Sequence, residues 1–80
     1  MSIPRQVSGD DLVKGLAPLG YEKTRQTGSH IRMTTQTRGE HHVTVPSHKV
    51  LPLGTLKSIL RDVARHFECT TDEIISRLFA

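Results

Sequence analysis

The triplet Gly28-Ser29-His30 combines three residue types suited to phosphate chemistry, at a point where one predicted strand gives way to the next. A histidine exchanges a proton near neutral pH, which is what a general base must do. The glycine and serine before it are typical of a tight turn, whose backbone N–H groups and hydroxyl suit a phosphate. These residue types suit acid–base chemistry at the start of a strand, although the triplet alone does not establish a catalytic role. The alternative is a solvated strand histidine without a chemical role.

Further basic residues follow this triplet. His48 and Lys49 stand between two prolines just before a predicted helix, where the positive end of the helix favours a phosphate. The other interpretation of this loop is that the prolines only shape a connection. On the helix itself, Lys57, Arg61 and Arg65 recur every fourth residue. This basic stripe is either a solvated face or a contact for an RNA backbone or an acidic partner.

The periodicity of the apolar side chains predicts the elements that must position these residues. Ser8 with Asp11 predicts the start of a first helix, which ends at Gly20. Alternating side chains predict strands over residues 21–26, 29–35 and 41–46, and a 3.6-residue period predicts a second helix through residues 56–64. Thr70 and Glu73 predict a capping box that begins a short third helix. The predicted fold is α+β: an αβββα domain with helices on one face of a three-stranded antiparallel sheet, plus a C-terminal helix.

Alternation along the second and third strands predicts which side chains face solvent. The apolar residues of one parity are expected in the core: Ile31, Met33, Val43 and Val45. The opposite parity, His30, Arg32, His42 and Thr44, then shares an open face. If the two strands form a hairpin, we expect the His30–Arg32 end of one strand to lie near the His42–Thr44 end of the other.

Composition limits the class of protein. Eighty residues make one small domain, over residues 1–80. The single cysteine, Cys69, excludes an internal disulfide, and no apolar run resembles a signal peptide or a membrane span, so we expect a cytoplasmic protein without a membrane partner. Eleven Lys and Arg against eight Asp and Glu give a formal charge of +3, which favours an anionic partner.

The histidines do not form a recognisable metal motif. His41 and His42 are adjacent on a predicted strand and therefore point to opposite faces, and Cys69 has no neighbouring cysteine. Phosphate-binding and dinucleotide-binding glycine motifs are also missing from the sequence. We therefore expect neither a metal site nor a cofactor.

Three segments taken together resemble one known family. They are Gly28-Ser29-His30, the run Val-Thr-Val-Pro-Ser-His at residues 43–48, and the run Gly-Thr-Leu-Lys-Ser-Ile-Leu-Arg at residues 54–61. Their order and gaps resemble the HicA family of messenger-RNA interferase toxins, over about residues 8–65, which leaves residues 66–80 as a helical extension. The resemblance implies a fold similar to the double-stranded-RNA-binding domain and ribonuclease activity on mRNA. It also implies a HicB-like antitoxin partner, through which oligomers mainly form.

The resemblance also implies a role for individual residues. The family's catalytic histidine falls on His30, in a motif completed by Gly28 and Ser29. In a metal-independent ribonuclease the RNA 2′-hydroxyl is the nucleophile, so we expect His30 to take its proton and Ser29 to hold a phosphate oxygen. Either Arg32 or Arg25 would stabilise the charge on the phosphate. Water or His42 would protonate the leaving 5′-oxygen, and the product would be a 2′,3′-cyclic phosphate.

Two other functions compete with the nuclease. Residues 55–79 hold two helices that resemble a DNA-binding helix-turn-helix, although Asp72 and Glu73 would then face phosphates. The second is an RNA-binding domain that lacks catalytic activity. Cleavage of RNA that depends on His30 distinguishes the enzyme from both binding modules.

Overall fold

The computed structural model describes residues 3–4 and 6–79. In this part of the chain, helix α1 is followed by a 3-10 turn, three strands and two helices. Their bounds are α1 Gly9–Leu16, the 3-10 turn Ala17–Leu19, β1 Glu22–Thr27, β2 His30–Thr35, β3 His41–Pro46, α2 Leu53–His66 and α3 Thr71–Phe79. The described strands form one antiparallel sheet in the order β1-β2-β3. The predicted α+β class and the αβββα order with a C-terminal helix are confirmed.

Local signals account for the start of the first helix and for the end of the 3-10 turn that follows it. The Ser8 hydroxyl accepts a hydrogen bond from the Asp11 N–H at 3.0 Å, and the Asp11 carboxylate accepts one from the Ser8 N–H at 3.1 Å, which completes a capping box. The 3-10 turn ends at Gly20, whose φ of 90° is readily adopted only by glycine. The chain then enters the sheet at Tyr21, which is buried.

One apolar core lies between the helices and one face of the sheet. The sheet contributes the four residues predicted for it, Ile31, Met33, Val43 and Val45, all of which are buried. The helices contribute side chains that are fully or almost fully buried: Leu12, Leu16, Leu56, Leu60, Val63, Ile74 and Ile75. Two of these residues come from α3, so the C-terminal extension packs into the same core as the rest of the chain.

The start of α3 carries half of its predicted capping box. The Thr70 hydroxyl accepts a hydrogen bond from the Glu73 N–H at 3.1 Å. Farther along, α3 approaches α1 closely, because a Cβ built on Gly15 would come within 3.2 Å of the Leu78 side chain. A small residue at position 15 is therefore what allows the two helices to pack.

The register of the β2–β3 hairpin corrects one prediction. His30 pairs with Pro46, Arg32 with Thr44, and Thr34 with His42. Arg32 and Thr44 are neighbours, as expected, but His42 lies four residues from His30 along the strands, or about 13 Å at about 3.3 Å per residue. The expectation that the His30 and His42 ends meet was wrong, because in a hairpin the residues farthest from the turn pair only with each other.

The first strand differs from the other two. All six residues of β1 are exposed, and Thr24 is bulged out of the register with β2. The helices cover β2 and β3, so β1 is held mainly by its hydrogen bonds to β2. The bulge and the basic side chains Lys23 and Arg25 are features that discourage pairing with another strand.

Candidate functional site

The β1–β2 turn holds the Gly28-Ser29-His30 motif in a fixed place. Gly28 has a φ of 57°, and a Cβ built there would meet nothing within 4 Å, so backbone conformation rather than space favours glycine. The Ser29 carbonyl accepts a hydrogen bond from the Ser47 N–H at 2.6 Å, and the Gly28 carbonyl accepts one from the Gln26 side chain at 3.2 Å. The turn is therefore attached to the residue that follows β3.

His30 is the first residue of β2 and is exposed. It pairs with Thr27 on one side and Pro46 on the other, which fixes its backbone from both neighbouring strands. Its ring points to the open face, two residues from Arg32. Among the described residues, no side-chain hydrogen bond occupies its imidazole, in contrast to the rings of His41, His42 and His66.

The arginines named from the sequence also lie on this open face. Arg25 and Arg32 are cross-strand partners, and both are exposed. Arg32 is on the central strand, between Arg25 on β1 and Thr44 on β3. Two guanidinium groups therefore share a face with His30, next to the Gly28-Ser29 turn.

The segment that follows β3 lies against α1. From the sequence, His48 and Lys49 were instead candidates for phosphate contacts at the start of α2. The Gly9 N–H donates to the His48 carbonyl at 2.9 Å, and a Cβ on Gly9 would overlap the Pro46 carbonyl oxygen. A shallow hollow of about 220 Å³ forms there, lined by Ser8, Asp10, Ser47, His48 and Lys49. Since Ser47 is bonded to Ser29, the basic pair reaches the neighbourhood of the His30 turn through this contact.

His42 belongs to a separate chain of hydrogen bonds on the open face. Its Nδ1 lies 2.7 Å from the Thr34 hydroxyl, its Nε2 lies 2.9 Å from a Glu40 carboxylate oxygen, and the Thr34 hydroxyl lies 2.8 Å from that of Thr24. The hydrogen bond from His42, with a second from Gln36, holds the pKa of Glu40 below its usual value of 4.5. These contacts explain why Thr34 is buried on a face that is otherwise open.

A second histidine cluster on the helix-facing side was not anticipated from the sequence. The Tyr21 hydroxyl lies 2.7 Å from His41 Nδ1, His41 Nε2 lies 3.3 Å from an Asp62 oxygen, and the His41 ring stacks on His66 at 4.4 Å. His66 Nε2 lies 2.9 Å from the Thr37 carbonyl. Burial, with the nearby Asp62 carboxylate, raises the pKa of Tyr21 above its usual 10.0. The predicted opposite orientation of His41 and His42 is confirmed, and that alternation was the available signal for this cluster.

Metal-ligating clusters and membrane-spanning helices are both absent from the described residues. No group of three or more His, Cys, Asp or Glu side chains in this part of the chain is arranged to hold a metal ion. No helix in residues 3–4 and 6–79 is both long and apolar enough to span a bilayer.

Comparison with known proteins identifies the family. A search of curated proteins and a search of solved structures each gave no significant match. The family model for the HicA toxin of bacterial toxin-antitoxin systems matches residues 9–64, which run from the first residue of α1 almost to the end of α2. The matched region contains the whole sheet and the Gly28-Ser29-His30 turn. The chain belongs to the HicA toxin family.

Proposed function

We propose that this HicA toxin is a metal-independent endoribonuclease that cleaves mRNA, with His30 as general base. The observation that carries the proposal is the placement of His30. Its backbone is fixed by pairing with strands on both sides, and its side chain is exposed. Its ring makes no side-chain hydrogen bond within the described residues, and it shares the open face with two arginines. A general base needs this combination of fixed position and open access.

In the proposed reaction the RNA supplies its own nucleophile. His30 takes the proton of the 2′-hydroxyl, and the 2′-oxygen attacks the adjacent phosphorus while the bond to the 5′-oxygen breaks. The products are a 2′,3′-cyclic phosphate and a 5′-hydroxyl. The bonds formed and broken in this reaction balance without an oxidant, a metal or a cofactor.

Charge that develops on the phosphate must be stabilised by the surrounding donors. Arg32 is the stronger of the two candidate arginines, since it lies on the same strand as His30, and Arg25 supports it from β1. The Ser29 hydroxyl and the N–H groups of the Gly28 turn are donors for the remaining phosphate oxygens. Lys49 adds a further positive charge at this end of the sheet, and His48 adds a ring nitrogen that can contact the RNA.

The register between β2 and β3 bears on which group acts as the general acid. His42 is about 13 Å from His30 along the strands, and its ring already contacts Thr34 and Glu40. Of the two donors considered from the sequence, water is therefore favoured over His42 for the leaving 5′-oxygen. His42 is better explained as a residue that orders the open face.

The helix-turn-helix alternative is less well supported. The first turn of α3 presents two exposed carboxylates, Asp72 and Glu73, while Ile74 and Ile75 are buried in the core. A DNA-reading helix inserts its N-terminal residues into the major groove, where these carboxylates would repel phosphates.

Membership of the family makes this chain part of a toxin-antitoxin system with a partner antitoxin. We propose that the partner is HicB-like and that larger assemblies form mainly through it. We also propose that the toxin acts in the cytoplasm, where its mRNA substrate is translated. The support for both is the family. The positive formal charge of +3 suits the anionic mRNA substrate.

His30→Ala tests the enzyme directly. Cleavage of an mRNA transcript in the presence of a chelator should fall by about 10²–10⁴-fold, because the base is removed. Since His30 is exposed, thermal unfolding should change little, and Lys14→Ala on α1 is the matched control with normal cleavage. In cells, growth arrest on expression should be relieved by the same substitution. A folded His30→Ala protein that cleaves at the wild-type rate, or a wild type that binds RNA without cleaving it, contradicts the proposal.

A further inference from the structure

A polar groove runs between β3 and α2, outside the catalytic turn. It has a volume of about 470 Å³ and is lined by His42, Val43, Thr44, Ser58, Ile59, Arg61, Asp62 and Arg65. Val43 and Ile59 are buried core residues, so the side chains available to a ligand are mainly the polar ones. We refer to this feature as the β3–α2 groove.

The donors of the groove suit phosphate oxygens. Arg61 and Arg65 are exposed, and neither forms a salt bridge within the described residues. Ser58 and Thr44 add two hydroxyls from opposite walls. The one carboxylate in the lining, Asp62, has an oxygen 3.3 Å from His41 Nε2 on the helix-facing side, a contact that holds this oxygen toward His41.

The groove adjoins the face on which cleavage is proposed. Thr44 belongs both to the groove and to the Arg32–Thr44 pair, and Arg32 is two residues from His30. Along β2, His30 is therefore about 7 Å from that pair, at about 3.3 Å per residue. A strand whose cleaved phosphate sits at His30 can pass Arg32 and enter the groove within a short length.

We propose that the β3–α2 groove binds backbone phosphates of the RNA next to the cleaved one, with Arg61 and Arg65 as their ligands. This inference rests on the proposed nuclease function and specifies where its substrate lies. RNA is favoured over a protein partner because the accessible lining is polar, whereas the centre of a protein interface is largely apolar. Among the described residues, the exposed large apolar side chains, Val50 and Leu53, lie outside the groove.

The chain contains a matched control on the same helix. Lys57 belongs to the same basic stripe but lines a different hollow, with Ile3, Leu53, Arg61, Thr71, Asp72 and Ile75. Arg61 lines both hollows, whereas Arg65 lines the groove and not the second hollow. Arg65→Gln is therefore the specific test, and Lys57→Gln removes the same charge without touching the groove.

The experiment measures binding of 2′-O-methyl RNA, which keeps the phosphates but lacks the nucleophile, over a series of salt concentrations. Removing the cation that neutralises one phosphate should reduce the slope of log K against log salt by about 0.7, which corresponds to about fivefold weaker binding near 0.1 M salt. Arg65→Gln should show this change across unrelated RNA sequences, and Lys57→Gln should show wild-type binding. Thermal unfolding of each variant confirms that it is folded.

Cleavage of unmodified RNA by the same proteins separates the two proposals. If cleavage requires His30 but Arg65→Gln and Lys57→Gln bind RNA with equal affinity and equal salt slope, the groove proposal is overturned and the nuclease stands. If Arg65→Gln weakens RNA binding while the wild type cleaves nothing, the groove stands and the nuclease fails. If Arg65→Gln binds RNA normally but no longer binds the partner antitoxin, the groove is a protein-binding site and the proposal is wrong.

Discussion

At the scale of single residues, His30 differs from three other histidines because its ring makes no side-chain hydrogen bond within the described residues. His41, His42 and His66 each have a ring nitrogen within hydrogen-bond distance of another group, and those contacts hold the sheet and the helices together. The ring of His30 faces solvent at the start of the central strand. A ring that is free to meet a substrate, on a backbone that is fixed, is what the proposed chemistry requires.

The proposed role of Arg32 gives a prediction at this scale. Arg32→Gln should lower the rate of cleavage at saturating RNA by about tenfold or more, because the phosphate then has one charged donor fewer. Lys23→Gln is the control, since Lys23 pairs with the core residue Met33 and lies on the opposite face of the sheet. Single-turnover cleavage measures both, and equal rates for the two variants would exclude Arg32 from the site.

Glu40 predicts a dependence of stability on pH. Its pKa is lowered in the folded protein, chiefly by the hydrogen bond with His42, so its contribution is present above the usual value of 4.5 and is lost as pH falls through the folded pKa. Glu40→Gln should therefore make unfolding in urea less dependent on pH below 4.5. An unchanged acid limb in this variant would show that the Glu40–His42 contact is not formed in solution.

At the scale of elements, the candidate site depends on close packing between segments distant in sequence. The first turn of α1 meets the end of β3 at Gly9, and the β1–β2 turn meets Ser47 just beyond it. Local signals predicted the elements correctly, including the Ser8–Asp11 cap and the alternation along β2 and β3. The pairing partner of His30, the contact of His48 with α1 and the β3–α2 groove arise only from tertiary packing, which residue patterns do not encode.

Two glycines test this packing. Gly9→Ala should destabilise the fold by about 1–3 kcal/mol, because the new methyl group overlaps the Pro46 carbonyl and forces the backbone apart. Gly54→Ala is the matched control near the start of α2, where a Cβ meets nothing within 4 Å and helix propensity improves. Urea unfolding compares the two, and a Gly9→Ala protein as stable as the wild type would contradict the described α1–β3 contact.

At the scale of the whole molecule, the Tyr21–His41–Asp62 contacts join the sheet to the helices. Tyr21 precedes β1, His41 begins β3 and Asp62 lies in α2, so one chain of polar contacts crosses the domain beside its apolar core. The Tyr21 and Phe67 rings also meet edge to face at 6.2 Å. This arrangement couples the ionisation of one phenol to the stability of the entire fold.

Alkaline unfolding checks that coupling. The pKa of Tyr21 is raised in the folded state, so its stabilising effect is complete below the usual 10.0 and is lost as pH rises toward the folded pKa. One such group removes at most about 1.4 kcal/mol per pH unit in that window. Tyr21→Phe should flatten the alkaline limb of stability against pH, and a limb of unchanged steepness would contradict the described burial of the phenol.

The exposure of β1 determines where the sequence of this domain can vary most freely. The side chains of β1 are exposed along its whole length, so replacing them removes little buried apolar area, whereas β2, one strand away, has four of its six residues buried. A saturation library should therefore be most permissive at residues 22–27 for folding. Because Arg25 shares the open face with His30, the same library varies the surface proposed to meet RNA. β1 is thus the strand whose side chains can change most while the fold and the Gly28-Ser29-His30 turn stay intact.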